Sequence, residues 1–306
     1  MKSLDFVVSD SESNVRLDVC VSRKFSRFSR SFVTKFIESG HVLVNKELAN
    51  KKYITKPGDY IVFSFCENKG VEDVVARDLP LRIVYEDEYL MVVDKSKGMV
   101  THPAPGHYDD TLVNALMFYT SELSDVNSKF RAGIVHRLDK DTSGLLLVAK
   151  DNFAHENLAF QIKNRSVKRE YVGIVHGNTK FLSGKIDLPI GRDPKNRKKM
   201  AVTDKNSKNA VTYYEVIKFY ENYSYMKFAL ETGRTHQIRV HMSNMGHPLA
   251  GDSLYGAKND PNFLCGQCLH ARKIKFKHPV TGEVLEFLSE LPEYFKKFIS
   301  IISSES

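Results

Sequence analysis

The sequence predicts an α+β protein. A small α/β module is expected over residues 15–65, then a linker over 66–80. A larger domain follows over 81–306, built on a mixed, mainly antiparallel sheet flanked by helices and loops. Three observations predict this. Strand-like runs outnumber helical ones. Few of them alternate as regular strand–helix–strand units, which disfavours a doubly wound parallel sheet. The charged, weakly patterned stretch CENKGVEDVVARDLP separates the basic N-terminal segment from the rest.

The elements follow in order. VRLDVCVSRKF carries apolar residues whose helical spacing fits its second half. SRSFVTKFIESGH opens on serines suited to an N-cap. Phe32, Val33, Phe36 and Ile37 then share one helical face, and Gly40 supplies a stop. HVLVN alternates as a strand, and KPGDYIVFSF is a turn into another. Beyond the linker, LRIVYEDEYLMVVDKSKG holds two strand-like runs around an acidic turn, and TLVNALMFYTSEL reads as a helix. GIVHRLDKDTSGLLLVAKD predicts strand, loop, strand. NFAHENLAFQIKNRSVKREYVGIVHG predicts a helix, then a strand opening near Arg169. VTYYEVIKFYENYSYMKFALET gives two β-rich runs, and TGRTHQIRVHMSNMGHPLAGD a loop, a helix and a second loop. RKIKFKHPVTGEVLEFLSELPEYF predicts two strands, then a short segment after Pro292.

The net charge is +8 and the sequence pI about 9.1, which suggests a polyanionic partner. Residues 16–65 hold ten Lys/Arg against four acids, among them Arg16, Arg30 and Lys35. A second basic block, KIDLPIGRDPKNRKKMAVTDKNSK, contains Lys198 and Lys199. Two such blocks point toward nucleic acid rather than two solvated surfaces. No apolar run approaches the roughly 20 residues that span a bilayer. The polar start MKSLDFVVSDSESN lacks the apolar centre of a signal peptide. The expected setting is cytoplasmic, without a membrane. Four cysteines are too few for a disulfide framework.

The strongest candidate site is HRLDKDTSG, residues 136–144. Asp139 lies between Arg137 and Lys140, and Ser143-Gly144 permit a tight turn into an apolar strand. Cations within about 4–6 Å favour the ionised carboxylate, which can act as a nucleophile or a base. The pattern alone favours a turn-capping surface aspartate. TGRTHQIRVHM gathers Arg234, His236, Arg239 and His241; its arginines could pair with an aspartate or grip phosphates. Its histidines lack H-E-x-x-H spacing, and CGQC lacks a second cysteine pair, so no metal is expected. No phosphate-binding glycine loop, dinucleotide fingerprint or G-x-S-x-G elbow occurs. Tyr171, in VKREYVGIVHG, could stack on a base or pack as a strand tyrosine.

GIVHRLDKDTSGLLLVAK resembles the central motif of the ribosomal large subunit pseudouridine synthases, the branch that includes synthase D. KREYVGIVHG, IGRDPKNRKKMAV, TGRTHQIRVHMSNMGHPLAGDSLYG and LHARKIKFKHPVTGE resemble that family's further motifs, in its order. The likeness covers roughly residues 80–290. RLDVCVSRKFSRFSRSFVTKFIESGHVLVNKELANKKYITKPGDYIVF is similar to the small RNA-binding domain named after ribosomal protein S-four, with Lys46 where a glycine is common.

The resemblance implies an isomerase that converts specific uridines to pseudouridine in large-subunit ribosomal RNA, free or in a pre-ribosomal particle. The glycosidic bond breaks, the uracil rotates, and the sugar rejoins through ring carbon 5. No metal or organic cofactor is implied. Asp139 matches the reactive aspartate, Tyr171 the active-site tyrosine and Arg239 the cation that pairs with the aspartate. Arg137 matches the arginine that enters the helix as the target base flips out, at a cost of a few kcal/mol of unstacking. Arg16, Arg30, Lys35, Lys198, Lys199 and Arg234 are expected to contact RNA, and the chain is expected to be a monomer. A non-catalytic RNA binder and a metal hydrolase are the alternatives; the first leaves the Asp139, Tyr171 and Arg239 set without a purpose, and the second lacks metal-ligand spacing.

Overall fold

The computed structural model describes residues 2–25, 28, 30–65, 74–126, 129–196, 198–256 and 260–304. The chain divides into two compact units, Met1–Glu72 and Asp73–Ser306.

The first unit comprises β1 (Lys2–Val7), α1 (Leu17–Lys24), α2 (Arg30–Glu38), β2 (Val42–Val44), β3 (Glu47–Leu48) and β4 (Tyr60–Phe65). Its antiparallel sheet has the order β1-β4-β2-β3. Leu17 and Val21, one turn apart on α1, and Val33 and Ile37 on α2 are buried against Val42, Val44, Ile61, Phe63 and Phe65. Past α2, the His41 amide bonds back to Phe36 and Gly40 takes φ +76°, which suits glycine. Asn45 and Lys46, with φ of 54° and 71°, turn β2 into β3, so a lysine fills this left-handed position. The unit begins earlier than the expected residue 15: β1 pairs with β4 along its whole length. Leu4 and Phe6 on β1, with Val8 just beyond, alternate toward the core.

The second unit holds β5 (Ile83–Glu86), β6 (Leu90–Lys95), α3 (Leu112–Tyr119), β7 (Ser143–Ala149), α4 (Asn152–Lys163) and β8 (Lys168–His176). It continues through β9 (Ser183–Asp187), β10 (Ile190–Arg192), β11 (Met200–Val202), β12 (Val211–Phe219), β13 (Tyr223–Leu230) and α5 (Gln237–Asn244). β14 (Leu269–Lys277), β15 (Val284–Leu288) and α6 (Glu293–Ser304) complete it. Nine strands form one sheet, ordered β5-β6-β7-β14-β8-β13-β12-β9, with β15 on β14. Only β7 and β14 run parallel among these pairs, so the sheet is mixed and mainly antiparallel. Side chains of successive strand residues point to opposite faces. On one face Met91, Val93, Leu146 and Phe228 pack with α3 and α5. On the other, Leu90, Val92, Leu145 and Leu147 pack with α4, and Val172 and Ile174 with α6. Burial on both faces explains why LLLVA is continuously apolar.

Four expectations change. The stretch GIV before HRLD makes a single bridge, Ile134 to Val148, rather than a strand. The basic block at 185–208 begins inside β9, and its residues also form the β10–β11 hairpin. The segment after Pro292 is the twelve-residue α6, whose Phe295, Phe298 and Ile302 are buried. Of the expected linker, residues 66–73 lie outside the described residues, and Val74 is buried in the core of the second unit.

Candidate active site

The loop carrying Asp139 is held from several sides. Its backbone turns through a Thr142 N–H bond to the Asp139 carbonyl at 3.1 Å. The Leu138 carbonyl accepts from Thr101 Oγ1 at 2.8 Å. The next free carbonyl, Lys140, accepts from Gly98 N at 3.0 Å and from the Lys95 ammonium at 3.1 Å. Lys95 is fully buried and also donates to Ser96 and Met99 carbonyls; burial pushes its pKa down to about 7. Gln267 holds the Thr142 hydroxyl at 3.0 Å. At Gly144, φ is +112° and a Cβ would lie 2.3 Å from the Ala271 carbonyl oxygen. Only glycine lets β7 leave the loop directly beside β14.

Asp139 Oδ2 accepts from Arg239 Nη1 at 3.0 Å. The same guanidinium donates through Nε and Nη2 to both oxygens of Asp252, at 2.7 and 2.9 Å. One face of the fork is therefore fixed by a bidentate pair, which aims the remaining nitrogen at Asp139. Asp252 is fully buried and also accepts the Leu254 and Tyr255 amides. The Tyr255 ring lies 5.1 Å from the guanidinium and 5.6 Å from the Lys199 ammonium. Burial opposes the Arg239 cation, yet the Asp252 hydrogen bonds and the Asp139 charge outweigh it and raise its pKa. Among the described residues nothing bonds to Asp139 Oδ1, which leaves that oxygen available.

Asp139 faces a pocket of about 410 Å³ lined also by Arg137, His136, Arg169, Tyr171, Arg234 and Arg239. Tyr171 comes from β8 and is buried; burial raises its phenol, which stays protonated. Arg137 is exposed at this pocket, and Arg234 anchors its Nε on the Asn209 carbonyl at 2.9 Å. Five expected residues thus meet at one pocket: Asp139, Tyr171, Arg239, Arg137 and Arg234. Lys198 and Lys199 lie outside its lining, Lys198 exposed and Lys199 against Tyr255. Arg16, Arg30 and Lys35 belong to the first unit. Arg16 and Arg30 are not free cations, because both bond to Asp18 at 2.9 and 2.7 Å; Lys35 is exposed on α2. His236 is the N-cap of α5 in a left-handed conformation, so it precedes the helix that carries Arg239. Among the described residues no cluster of His, Cys, Asp or Glu could hold a metal, and no helix is long and apolar enough to cross a membrane.

Residues 89–244 match the family model described as RNA pseudouridylate synthase, and residues 15–61 match the S4 domain. The chain belongs to the RNA pseudouridylate synthase family. It is 44% identical to an RNA pseudouridine synthase of Bacillus subtilis, YlyB, over 98% of both chains. It is 41% identical to ribosomal large subunit pseudouridine synthase D of Neisseria meningitidis serogroup A, over 95% of this chain and 79% of that one. The structure of human RNA pseudouridylate synthase domain containing 1 superposes with a TM-score of 0.58 at 24% identity, covering 75% of this chain and 97% of that one, and so shares the fold. This pseudouridine synthase is an isomerase with an N-terminal RNA-binding S4 domain.

Several of the residues that hold Arg239 and the Asp139 loop in place carry no signal in spacing. Asp252 and Tyr255 sit in HPLAGDSLYG, where nothing marks a second carboxylate or a stacking ring. Lys95 reads as one more surface lysine until its burial is seen.

Proposed function

We propose that this synthase modifies uridines of large-subunit ribosomal RNA, and that Asp139 acts directly on the flipped nucleotide. The observation that carries the reading is the Asp139–Arg239 pair at 3.0 Å in a pocket shared with Tyr171. In the reaction the bond from sugar carbon 1′ to ring nitrogen 1 breaks and a bond to ring carbon 5 forms. Carbon 5 loses a proton and nitrogen 1 gains one. Arg239 orients the carboxylate and balances its charge, while Oδ1 is left for the substrate. The protonated Tyr171 packs on the base and supplies a neutral hydroxyl for proton transfer. Arg137, exposed at the pocket, occupies the gap left by the extruded base and offsets part of the unstacking cost. The basic surfaces around Arg16, Arg30, Lys35, Lys198, Lys199 and Arg234 supply sequence-independent attraction for phosphates. Relatives named ribosomal large subunit pseudouridine synthase D support this substrate.

The test is chemical mapping of pseudouridine across large-subunit ribosomal RNA treated with the wild type or with Asp139→Asn. Sites made by the wild type and absent with the variant are expected. Identical maps from both proteins would overturn the role of Asp139. Conversion of transfer RNA alone would overturn the substrate.

A further inference from the structure

Two residues that line the pocket each carry a buried hydrogen-bond donor with no acceptor among the described residues. The Leu147 amide donates to His136 Nε2 at 2.9 Å, so in the neutral ring the proton sits on Nδ1. Burial pushes the ring's pKa down to about 3, which keeps it neutral near pH 7. Its Nδ1 is buried without a partner among the described residues, and so is Nε of Arg169. Arg169 is 8% exposed, and Gly233 makes room for it: a Cβ there would come within 3.0 Å of its Nη1. Buried donors are rarely left unpaired, because losing water without gaining an acceptor is costly. A pocket that keeps two of them is suited to a ligand that brings the acceptors.

We propose that His136 Nδ1 and Arg169 Nε form the donor edge that reads the carbonyl oxygens of the flipped uracil. The proposal rests on the functional reading above. Uracil carries carbonyl oxygens at ring positions 2 and 4, both acceptors. Cytosine carries an amino donor at position 4, which would face a donor and leave it buried and unpaired. That mismatch rejects a base more strongly than lost packing does. Of the exposed arginines at the same pocket, Arg137 keeps the gap-filling role given above and Arg165 is paired with Glu231.

The test uses a synthetic RNA fragment spanning a mapped target uridine, and the same fragment with cytidine, 2-thiouridine or 4-thiouridine there. KM for the uridine fragment is compared with the inhibition constant of the cytidine fragment. For the full-length wild type the cytidine fragment is expected to bind at least about tenfold more weakly. In His136→Gln, which keeps an acceptor for the Leu147 amide, and in Arg169→Lys, which keeps the charge, that ratio should fall at least about fivefold. Replacing a carbonyl by the weaker acceptor sulfur should lower kcat/KM of the wild type about tenfold at position 2 or 4, which needs no folded variant. Uridine conversion with the cytidine ratio unchanged in both variants overturns this inference alone, as does indifference to both thio substitutions. A wild type that converts no uridine overturns the functional reading and this inference with it.

Discussion

Each unit of the molecule contains an aspartate gripped by arginine, with opposite stoichiometry. In the first, one carboxylate serves two cations: Asp18 is 2% exposed and holds Arg16 and Arg30, which are 41% and 56% exposed. In the second, one cation serves two carboxylates: Arg239, 9% exposed, lies between Asp252 and Asp139. The first arrangement leaves an excess of positive charge at the surface, with two guanidiniums positioned but not used up. The second leaves its three side chains one negative charge in excess, with Asp139 Oδ1 unengaged. The same pair of side chains therefore leaves spare positive charge in one place and a spare carboxylate oxygen in the other. Burial and head count decide which.

The largest effect should come from Asp139→Asn, which keeps the shape and removes the charge. Tritium release from carbon-5-labelled uridine RNA should fall on the order of 10⁴-fold while RNA affinity is retained. Next comes Asp252→Ala. It strips the bidentate partner from a buried cation, so a loss of about 3–5 kcal/mol in denaturant unfolding is expected, together with reduced turnover. Asp18→Ala breaks pairs whose arginines can turn to water, so its cost should stay near about 1 kcal/mol. A destabilisation equal to that of Asp252→Ala would erase the contrast between the two units. Replacing Arg16 and Arg30 together by alanine should leave kcat unchanged at saturating RNA. The slope of log affinity against log salt should become shallower by about 1 to 2.

A separate effect concerns acid. Burial pushes the Asp18 carboxyl up, but the Arg16 and Arg30 hydrogen bonds outweigh it and hold it below its usual range. Its contribution is present above the unfolded value and is lost as pH falls through the lower native one. His136 adds a second loss. It stays neutral in the fold while the unfolded chain takes up a proton below 6.5, so stability declines from pH 6.5 toward about 3. Thermal unfolding followed against pH should show a flatter profile between pH 6.5 and 4 in His136→Gln than in the wild type.

Much of this was readable in the sequence, for identifiable reasons. Asp139 stood out because a charged loop between Arg137 and Lys140 runs into LLLVA. Its partner did not, because Arg239 is 100 residues away and only the family likeness connected them. Asp252 was hidden because a buried carboxylate and a surface turn residue look identical in one sequence. Strand β1 carried only a short signal, because Leu4 and Phe6 alternate with Ser3 and Asp5 over four residues before Val7 and Val8 interrupt the period. The β10–β11 hairpin was missed because lysines dominate its surroundings. The pairing of Arg16 and Arg30 with Asp18 depends on how α1 and α2 pack, which charge counting cannot see.

Gly144 leads from geometry to genetics. The Ala271 carbonyl occupies the space a side chain would need, and the backbone conformation is one that side chains disfavour. Every missense change at this codon meets the same two obstacles. Alanine should fare little better than a large residue, in contrast to surface glycines such as Gly98 and Gly106, where nothing lies within 4 Å of a Cβ and only the conformational obstacle remains. The position should therefore behave in a mutational scan as a switch with one permitted letter, five residues from the carboxylate that it helps to place.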